Sequence, residues 1–144
     1  MLRKLTSTTA SWAPVPLRLA LAVVFIAHGS QKVLGKFGGP GLSRWMTLTQ
    51  FAPFPFMRPS WLWLAVAAFS ELIAGVLLLL GLLTRLGALL ITCLMVTAIV
   101  GVHWPAFFAP AGFEFPLAIL GSALALLIAG GGQASVDRMI TGRR

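Results

Sequence analysis

Residues 61–83 read WLWLAVAAFSELIAGVLLLLGLL, a stretch in which Glu71 is the only charged residue. The hydrocarbon core of a bilayer is about 30 Å thick, and a helix of roughly 20 apolar residues crosses it. A helix also satisfies its backbone N–H and C=O groups internally, as hydrocarbon requires. The stretch therefore predicts a transmembrane helix that carries one carboxyl group within the membrane.

Three further apolar segments accompany this one, and none shows the alternating pattern of a membrane barrel strand. The four predicted transmembrane helices cover about residues 16–34, 61–83, 86–104 and 113–130. We therefore predict an all-α membrane protein, a four-transmembrane-helix up-down bundle that forms a single membrane domain over residues 1–144. The connection between helices 1 and 2 is rich in Gly, Pro and aromatic residues. This composition predicts a longer interfacial loop, with a short helix near residues 42–51.

The composition also indicates a membrane protein. Hydrophobic residues make up 58% of the chain and charged residues only 10%, whereas soluble domains carry about 25% charged residues. This excludes a soluble globular domain, a disordered tail and a basic nucleic-acid-binding domain. The net charge of +8 comes from Lys and Arg at the ends of apolar runs, where they meet anionic headgroups. We expect membrane lipid as a partner and no nucleic acid.

The distribution of Lys and Arg predicts the orientation in the cell (inner or plasma) membrane. One side of the predicted bundle carries six of these residues: Arg3, Lys4, Arg85, Arg138, Arg143 and Arg144. The other side carries four: Lys32, Lys36, Arg44 and Arg58. Because cytoplasmic loops are enriched in positive charge, both termini are predicted to be cytoplasmic. A cleaved signal peptide is not expected, since Arg18 interrupts the apolar region that such a peptide needs.

Ionisable residues inside the predicted helices form the candidate ligand site, because such residues are costly in a bilayer and mark functional positions. His28 and Lys32 are four residues apart and share a helix face. His28 lies about 18 Å along helix 1 and Glu71 about 15 Å along the antiparallel helix 2, so the two are nearly level. His103 and Glu114 flank the last connection on the same, outer side. The candidate ligand-binding residues are His28, Lys32, Glu71, His103, Glu114, Gln31 and Arg18.

Several of these residues also have a purely structural interpretation. Arg18 shares the face of His28 but lies at the inner end, where an arginine is typical of a snorkelling anchor. Glu114 at the start of a helix complements the helix dipole, and Glu71 could be half of a structural ion pair. Gly75, one turn after Glu71, is interpreted as a close-packing position between helices.

The chain contains a single cysteine, Cys93, which excludes an internal disulfide, a CxxC pair and a Cys-ligated cluster. Any redox role therefore depends on electrons from a bound cofactor or a partner. The polar cluster is suited to hydrogen-bond the carbonyl oxygens of a non-covalently bound quinone, or to hold a small acidic ligand. A metal or haem held by His28 and His103 is the alternative. Neither is expected, because the two residues differ in predicted depth and the chain has no repeated Glu-x-x-His spacing.

Six segments in order resemble the DoxX family of small four-helix membrane proteins. They are Arg18-Leu19-Ala20-Leu21, His28-Gly29-x-Gln31-Lys32, Phe37-Gly38-Gly39-Pro40-Gly41, Glu71-Leu72-x-x-Gly75, Gly81-Leu82-Leu83-Thr84-Arg85-x-Gly87-Ala88 and Phe113-Glu114-Phe115-Pro116. The family includes a small subunit associated with a terminal quinol oxidase and with a thiosulfate:quinone oxidoreductase, and members linked to oxidative-stress responses. The resemblance, which covers residues 16–130, implies the four-helix fold and a quinone-linked role beside other membrane redox subunits.

Two functions are open at this point. The first is a subunit or accessory of a quinone-linked redox system that binds quinone in the outer half of the bundle. The second is a non-catalytic scaffold that assembles with a larger membrane complex or as a homo-oligomer. Whether the chain is itself an enzyme is left open, since the sequence shows no self-sufficient redox centre.

Overall fold

Helices form all of the regular secondary structure in residues 5–108 and 110–142, which are the residues that the structure describes. In this computed structural model no strand occurs among those residues, which confirms the all-helical prediction. The α-helices named below are α1 (Pro14–Leu34), α2 (Gly41–Trp45), α3 (Ser60–Leu80), α4 (Thr84–Ala98), α5 (Glu114–Ala129) and α6 (Val136–Thr141).

Three helices are long and apolar enough to cross a membrane. They are α1 with 21 residues, α3 with 21 residues, and α4 extended to His103 with 20 residues. The chain is thus a membrane protein with three helices capable of spanning the bilayer. The fourth, α5, is apolar but has only 16 residues, so its membrane crossing stays a prediction.

The helices form a closed ring of neighbours in which α1 packs along α3, α3 along α4, α4 along α5, and α5 along α1. Apolar side chains from all four helices fill the centre of the ring. The large buried side chains of this core are Leu21, Phe25, Leu78, Ile91, Ile119 and Leu126. A second apolar cluster, under the loop between α1 and α3, comprises Trp45, Ala52, Met57, Leu64 and Ala68. The loop is therefore packed onto the bundle.

Glycines allow α1 and α3 to approach closely at two points. A Cβ atom added to Gly75 would lie 2.7 Å from the backbone nitrogen of Ile26. A Cβ added to Gly29 would lie 2.6 Å from the backbone nitrogen of Leu72. The two backbones therefore touch at both points, as the close-packing interpretation of Gly75 predicted. This contact sets the register of α1 against α3, and with it the position of Lys32 relative to Glu71.

We expect Gly75→Ala to destabilise the protein by about 1–3 kcal/mol, because the new methyl group meets the α1 backbone rather than a side chain that can move. Gly121→Ala on α5 is the matched control, since no atom lies within 4 Å of the Cβ position there. Replacing this helical glycine should stabilise the protein by up to about 1 kcal/mol. Thermal unfolding of both variants in detergent measures the difference, and equal midpoints would contradict close packing at Gly75.

Helix α3 ends earlier than the sequence predicted. Gly81 adopts a left-handed conformation, with φ of 64°, and stops the helix after Leu80. Such a φ favours glycine, because a Cβ atom would clash with the backbone. The chain then turns within three residues, and α4 begins at Thr84. The two helices form the tight antiparallel hairpin that the short connection predicted.

Helix α4 changes its winding before it ends. The α-helical part stops at Ala98, and Ile99–His103 forms a π-helical turn. Accordingly, the Trp104 N–H donates to the carbonyl oxygen of Ile99, five residues back, at 2.9 Å. The sequence predicted one continuous helix over residues 86–104 and did not anticipate this wider turn. Its consequence is that His103 occupies the last position of a π turn, a feature frequent at functional sites.

The loop between α1 and α3 rests on this π turn. A Cβ atom on Gly101 would lie 2.3 Å from Cγ of Pro53, so the absence of a side chain at Gly101 lets the loop approach. The predicted short helix over residues 42–51 is smaller than expected. It consists of α2, followed after a break by a 3-10 turn at Thr49–Phe51. The loop thereby closes one end of the bundle.

The terminal segments close the opposite end. The Thr9 N–H donates to the carbonyl oxygen of Ala129, and the Gln133 N–H to that of Ser11, both at 2.9 Å. Arg85, at the α3–α4 turn, donates to the carbonyl oxygens of Ser7 and Ile128. The described ends of the chain thus lie together beside the α3–α4 turn. Four residues used in the orientation prediction lie outside the described residues: Arg3, Lys4, Arg143 and Arg144.

Candidate functional site

A cavity of about 430 Å³ lies in the half of the bundle that faces the loop. Its polar wall consists of His28 and Lys32 of α1, Glu71 of α3, and Thr97 and His103 from α4 and its π turn. The apolar wall includes Phe25, Trp45, Phe51, Leu94, Met95, Phe115 and Ile119. We call this space the central cavity. Its volume falls within the range of small-molecule sites, which is about 300–1,000 Å³.

The main electrostatic feature of the central cavity is an ion pair between Lys32 and Glu71. Lys32 Nζ lies 2.5 Å from one carboxylate oxygen and 2.6 Å from the other. Only 18% of the Lys32 side chain and 9% of the Glu71 side chain are exposed. A charge buried in this way requires a partner, and each residue here supplies one to the other. Glu71 and Lys32 are thus each other's counter-charge.

Trp45 of α2 covers the lysine side of this pair. Lys32 Nζ sits 4.7 Å from the centre of the Trp45 ring, in a cation–π arrangement. The Trp45 Nε1–H donates to the carbonyl oxygen of Leu64 at 2.8 Å, which holds the ring against α3. Phe51 stacks on Trp45 with ring centroids 5.3 Å apart. Trp45 was not among the predicted site residues, and its only signal in the sequence was the high aromatic content of the loop.

The two histidines of the central cavity lie in different surroundings. His103 Nδ1 lies 2.8 Å from the carbonyl oxygen of Ala111. A carbonyl only accepts hydrogen bonds, so we assign the proton to Nδ1 and leave Nε2 of the neutral ring as an acceptor. His28 is exposed on the surface of α1 as well as lining the cavity. The polar edge of the cavity thus reaches the outside of the bundle.

Glu114 lies next to the central cavity. It lines a more open pocket of about 620 Å³ on the loop side of α5. The two spaces share His103, Phe115 and Pro116 as a common wall. Of the predicted cluster, four residues therefore line one cavity and Glu114 lines its neighbour.

Gln31 and Arg18 do not reach the central cavity. Gln31 Nε2 donates to the carbonyl oxygen of Phe37 at 3.4 Å, because Gln31 lies on a different side of α1 from His28 and Lys32. Arg18 lies at the opposite end of the bundle, and only 3% of it is exposed. Its Nη2 donates to the carbonyl oxygen of Ala134 at 2.6 Å. Arg18 shares a helix face with His28, but ten residues separate the two along α1, so Arg18 does not line the same cavity. Arg18 is neither a snorkelling anchor nor a cavity residue.

Asp137 is a buried acid whose role was not predicted from the sequence. It is fully buried, and its carboxylate accepts from the backbone N–H groups of Leu83 at 2.7 Å and Thr84 at 2.8 Å. It therefore caps the start of α4, and its charge also stabilises the nearby Arg18 guanidinium. The usable signal was its place in the first turn of a helix that begins after Ser135, where acids are favoured. The partner it would meet was not visible in the sequence.

Side chains suited to metal binding do not assemble in the part of the chain that the structure describes. Within residues 5–108 and 110–142, no three His, Cys, Asp or Glu side chains come close enough to hold an ion.

Several apolar helices around a cavity with a buried ion pair define a multi-pass membrane protein with a candidate ligand site. The DoxX family model matches residues 13–104, more than half of the chain. The chain belongs to the DoxX family. An uncharacterized protein of Haemophilus influenzae is 34% identical over 114 residues, which cover 73% of this chain and 76% of that protein. No solved structure gives a significant match.

Proposed function

We propose that this protein is a subunit or accessory of a quinone-linked membrane redox system, and that its central cavity binds the ring of a quinone. The observation that carries the proposal is the cavity itself: a space of about 430 Å³ whose walls combine aromatic side chains with Lys32, Glu71, His28 and His103. Quinone rings are apolar on their faces and carry oxygens at their edges, which suits such walls. Family membership supports the same role.

The charges of the central cavity favour a neutral ligand over an acidic one. Glu71 already compensates the positive charge of Lys32. Arg18, the other cation considered for the site, binds carbonyl oxygens at the far end of the bundle. An acidic ligand would therefore have to displace the Glu71 carboxylate in a poorly solvated site, at a large electrostatic cost.

The position of His28 supports entry from the lipid. His28 lines the central cavity and is also exposed on the side of α1. Because the surface of α1 faces hydrocarbon in a membrane, a lipid-soluble ligand can enter beside His28 without crossing water. Its tail can then remain among the lipid chains.

The same proposal includes a topology. Helix α5, with 16 residues, extends about 24 Å and crosses a slightly thinned bilayer as a fourth span. Both termini are cytoplasmic in the cell membrane, and the central cavity lies in the outer half. In this proposal electrons reach the quinone through another membrane redox subunit, since the single cysteine excludes a dithiol pair or a Cys-ligated cluster within the chain.

Binding of a short-chain quinone by the full chain in lipid nanodiscs tests this function. We expect decylubiquinone to quench the fluorescence of Trp45, which lines the cavity. Ala98→Leu fills part of the cavity and should weaken binding at least tenfold, because an overfilled site must shift its walls. Ala125→Leu is the matched control, because Ala125 is exposed on α5 outside the cavity.

Two results would contradict the proposal. A wild-type protein that binds no quinone, and whose lipid extract contains none, would favour the scaffold or homo-oligomer function. Equal quinone affinities of Ala98→Leu and the wild-type protein would place the ligand outside the central cavity.

A further inference from the structure

We infer that the central cavity binds the reduced, hydroxyl-bearing form of its quinone more tightly than the oxidised form. This inference rests on the proposed function and extends it by stating which redox form the site selects. It follows from an imbalance between the hydrogen-bond donors and acceptors of the cavity. The two redox forms differ in their hydrogen-bonding capacity, since a quinol can donate through its hydroxyl groups whereas a quinone can only accept.

The strong donors around the central cavity are already used by the protein. Lys32 Nζ donates to both oxygens of Glu71, and its remaining side faces the Trp45 ring. The Trp45 Nε1–H is bound to the carbonyl oxygen of Leu64. The Nδ1–H of His103 is bound to the carbonyl oxygen of Ala111. A quinone carbonyl oxygen would thus find each of these donors engaged.

Acceptors, in contrast, are available. With Nδ1 protonated, Nε2 of neutral His103 carries a lone pair and no hydrogen. A carboxylate offers about four lone-pair positions, and Lys32 occupies one on each oxygen of Glu71. A quinol hydroxyl can donate to either group. A quinone oxygen at the same place would face another hydrogen-bond acceptor. Neither acceptor would then receive a hydrogen bond, which is costly in a buried site.

The other polar groups near the cavity do not reverse this preference. His28 can present either a donor or an acceptor, depending on its tautomer, and the hydroxyl of Thr97 can do the same. Glu114 lies beyond the shared wall, in the neighbouring pocket. These groups can hydrogen-bond either redox form, so the preference for the quinol depends on His103 and Glu71.

The experiment compares decylubiquinol with decylubiquinone, by anaerobic titration calorimetry on the full chain in nanodiscs. We expect the quinol to bind about tenfold more tightly, the ratio that one net hydrogen bond provides. His103→Asn retains an amide that can donate to Ala111 but removes the acceptor at the Nε2 position. This variant should lose most of the preference by weakening quinol binding. Trp104→Phe is the control, because Trp104 is 66% exposed and does not line the cavity.

The possible results separate the inference from the proposed function. Equal affinities, or tighter binding of the quinone, would overturn the inference and leave the proposed function standing. Binding of neither form would overturn both. If His103→Asn is well folded by circular dichroism and keeps the wild-type preference, His103 is not the selecting acceptor and the inference is wrong. If that variant does not fold, the wild-type affinity ratio alone decides the inference.

Discussion

Glu71→Gln is expected to lower the free energy of unfolding by about 3 kcal/mol, because it leaves the Lys32 ammonium buried without its counter-charge. Lys32→Met should cost a similar amount by isolating the carboxylate. The double variant Lys32→Met/Glu71→Gln should cost clearly less than the sum of the two, since it removes both charges together. Unfolding followed by circular dichroism in detergent provides the four stabilities of this double-mutant cycle.

Lys36→Met is the control for this prediction, because Lys36 is an exposed lysine just beyond the end of α1. Its stability should stay within about 0.5 kcal/mol of the wild-type value. If the effects of Lys32→Met and Glu71→Gln simply add, the two side chains are not coupled and the ion pair does not form. In that case the charge argument for a neutral ligand would also fail.

Asp137→Ala is expected to destabilise the opposite end of the bundle by about 3 kcal/mol. The substitution removes an acceptor from two backbone N–H groups at the start of α4, and it leaves Arg18 without its compensating charge. One of these N–H groups belongs to Leu83, which has a positive φ of 46° although it is not glycine. Such a conformation is costly and needs support from its surroundings.

Hydrogen exchange distinguishes loss of this cap from general loosening. We expect the amides of Leu83 and Thr84 to exchange much faster in Asp137→Ala, while amides in the centre of α1 change little. Met139→Ala, at a position that is 81% exposed, is the control on the same short helix. Unchanged exchange at Leu83 and Thr84 in the Asp137→Ala variant would show that the carboxylate does not cap α4.

Simple helix geometry predicted much of the candidate site. A spacing of four residues placed His28 and Lys32 on one face of α1, and equal depth placed Glu71 beside them. Both inferences depend only on the rise and turn of a helix and on the thickness of a bilayer. The ion pair between Lys32 and Glu71 is consistent with them. The close contact at Gly75 was predicted for a related reason, since small residues let membrane helices approach.

The same geometry could not show which residues the loop and the terminal segments bring to the bundle. Trp45 reaches Lys32 because the loop folds back onto α3 and the π turn, through contacts such as Gly101 with Pro53. Arg18 and Asp137 come near one another because the last residues fold under the α3–α4 turn, where the Asp137 N–H donates to the carbonyl oxygen of Gly81. Residues far apart in sequence, such as Pro53 and Gly101, are brought together here by irregular segments, whose path has no periodic signal in the sequence.

The sequence by itself determined that this protein is helical and resides in a membrane, because few charges and long apolar runs allow only helices that satisfy their own backbone groups. It also determined that Glu71 needs a partner, since a carboxylate in an apolar span is costly. Only the tertiary structure decided that Lys32 is that partner, that His103 Nδ1 lies beside the carbonyl oxygen of Ala111, and that Arg18 is buried against carbonyl oxygens of the C-terminal segment. Those outcomes depend on hydrogen bonds between distant segments, and the packing of the whole chain sets their geometry.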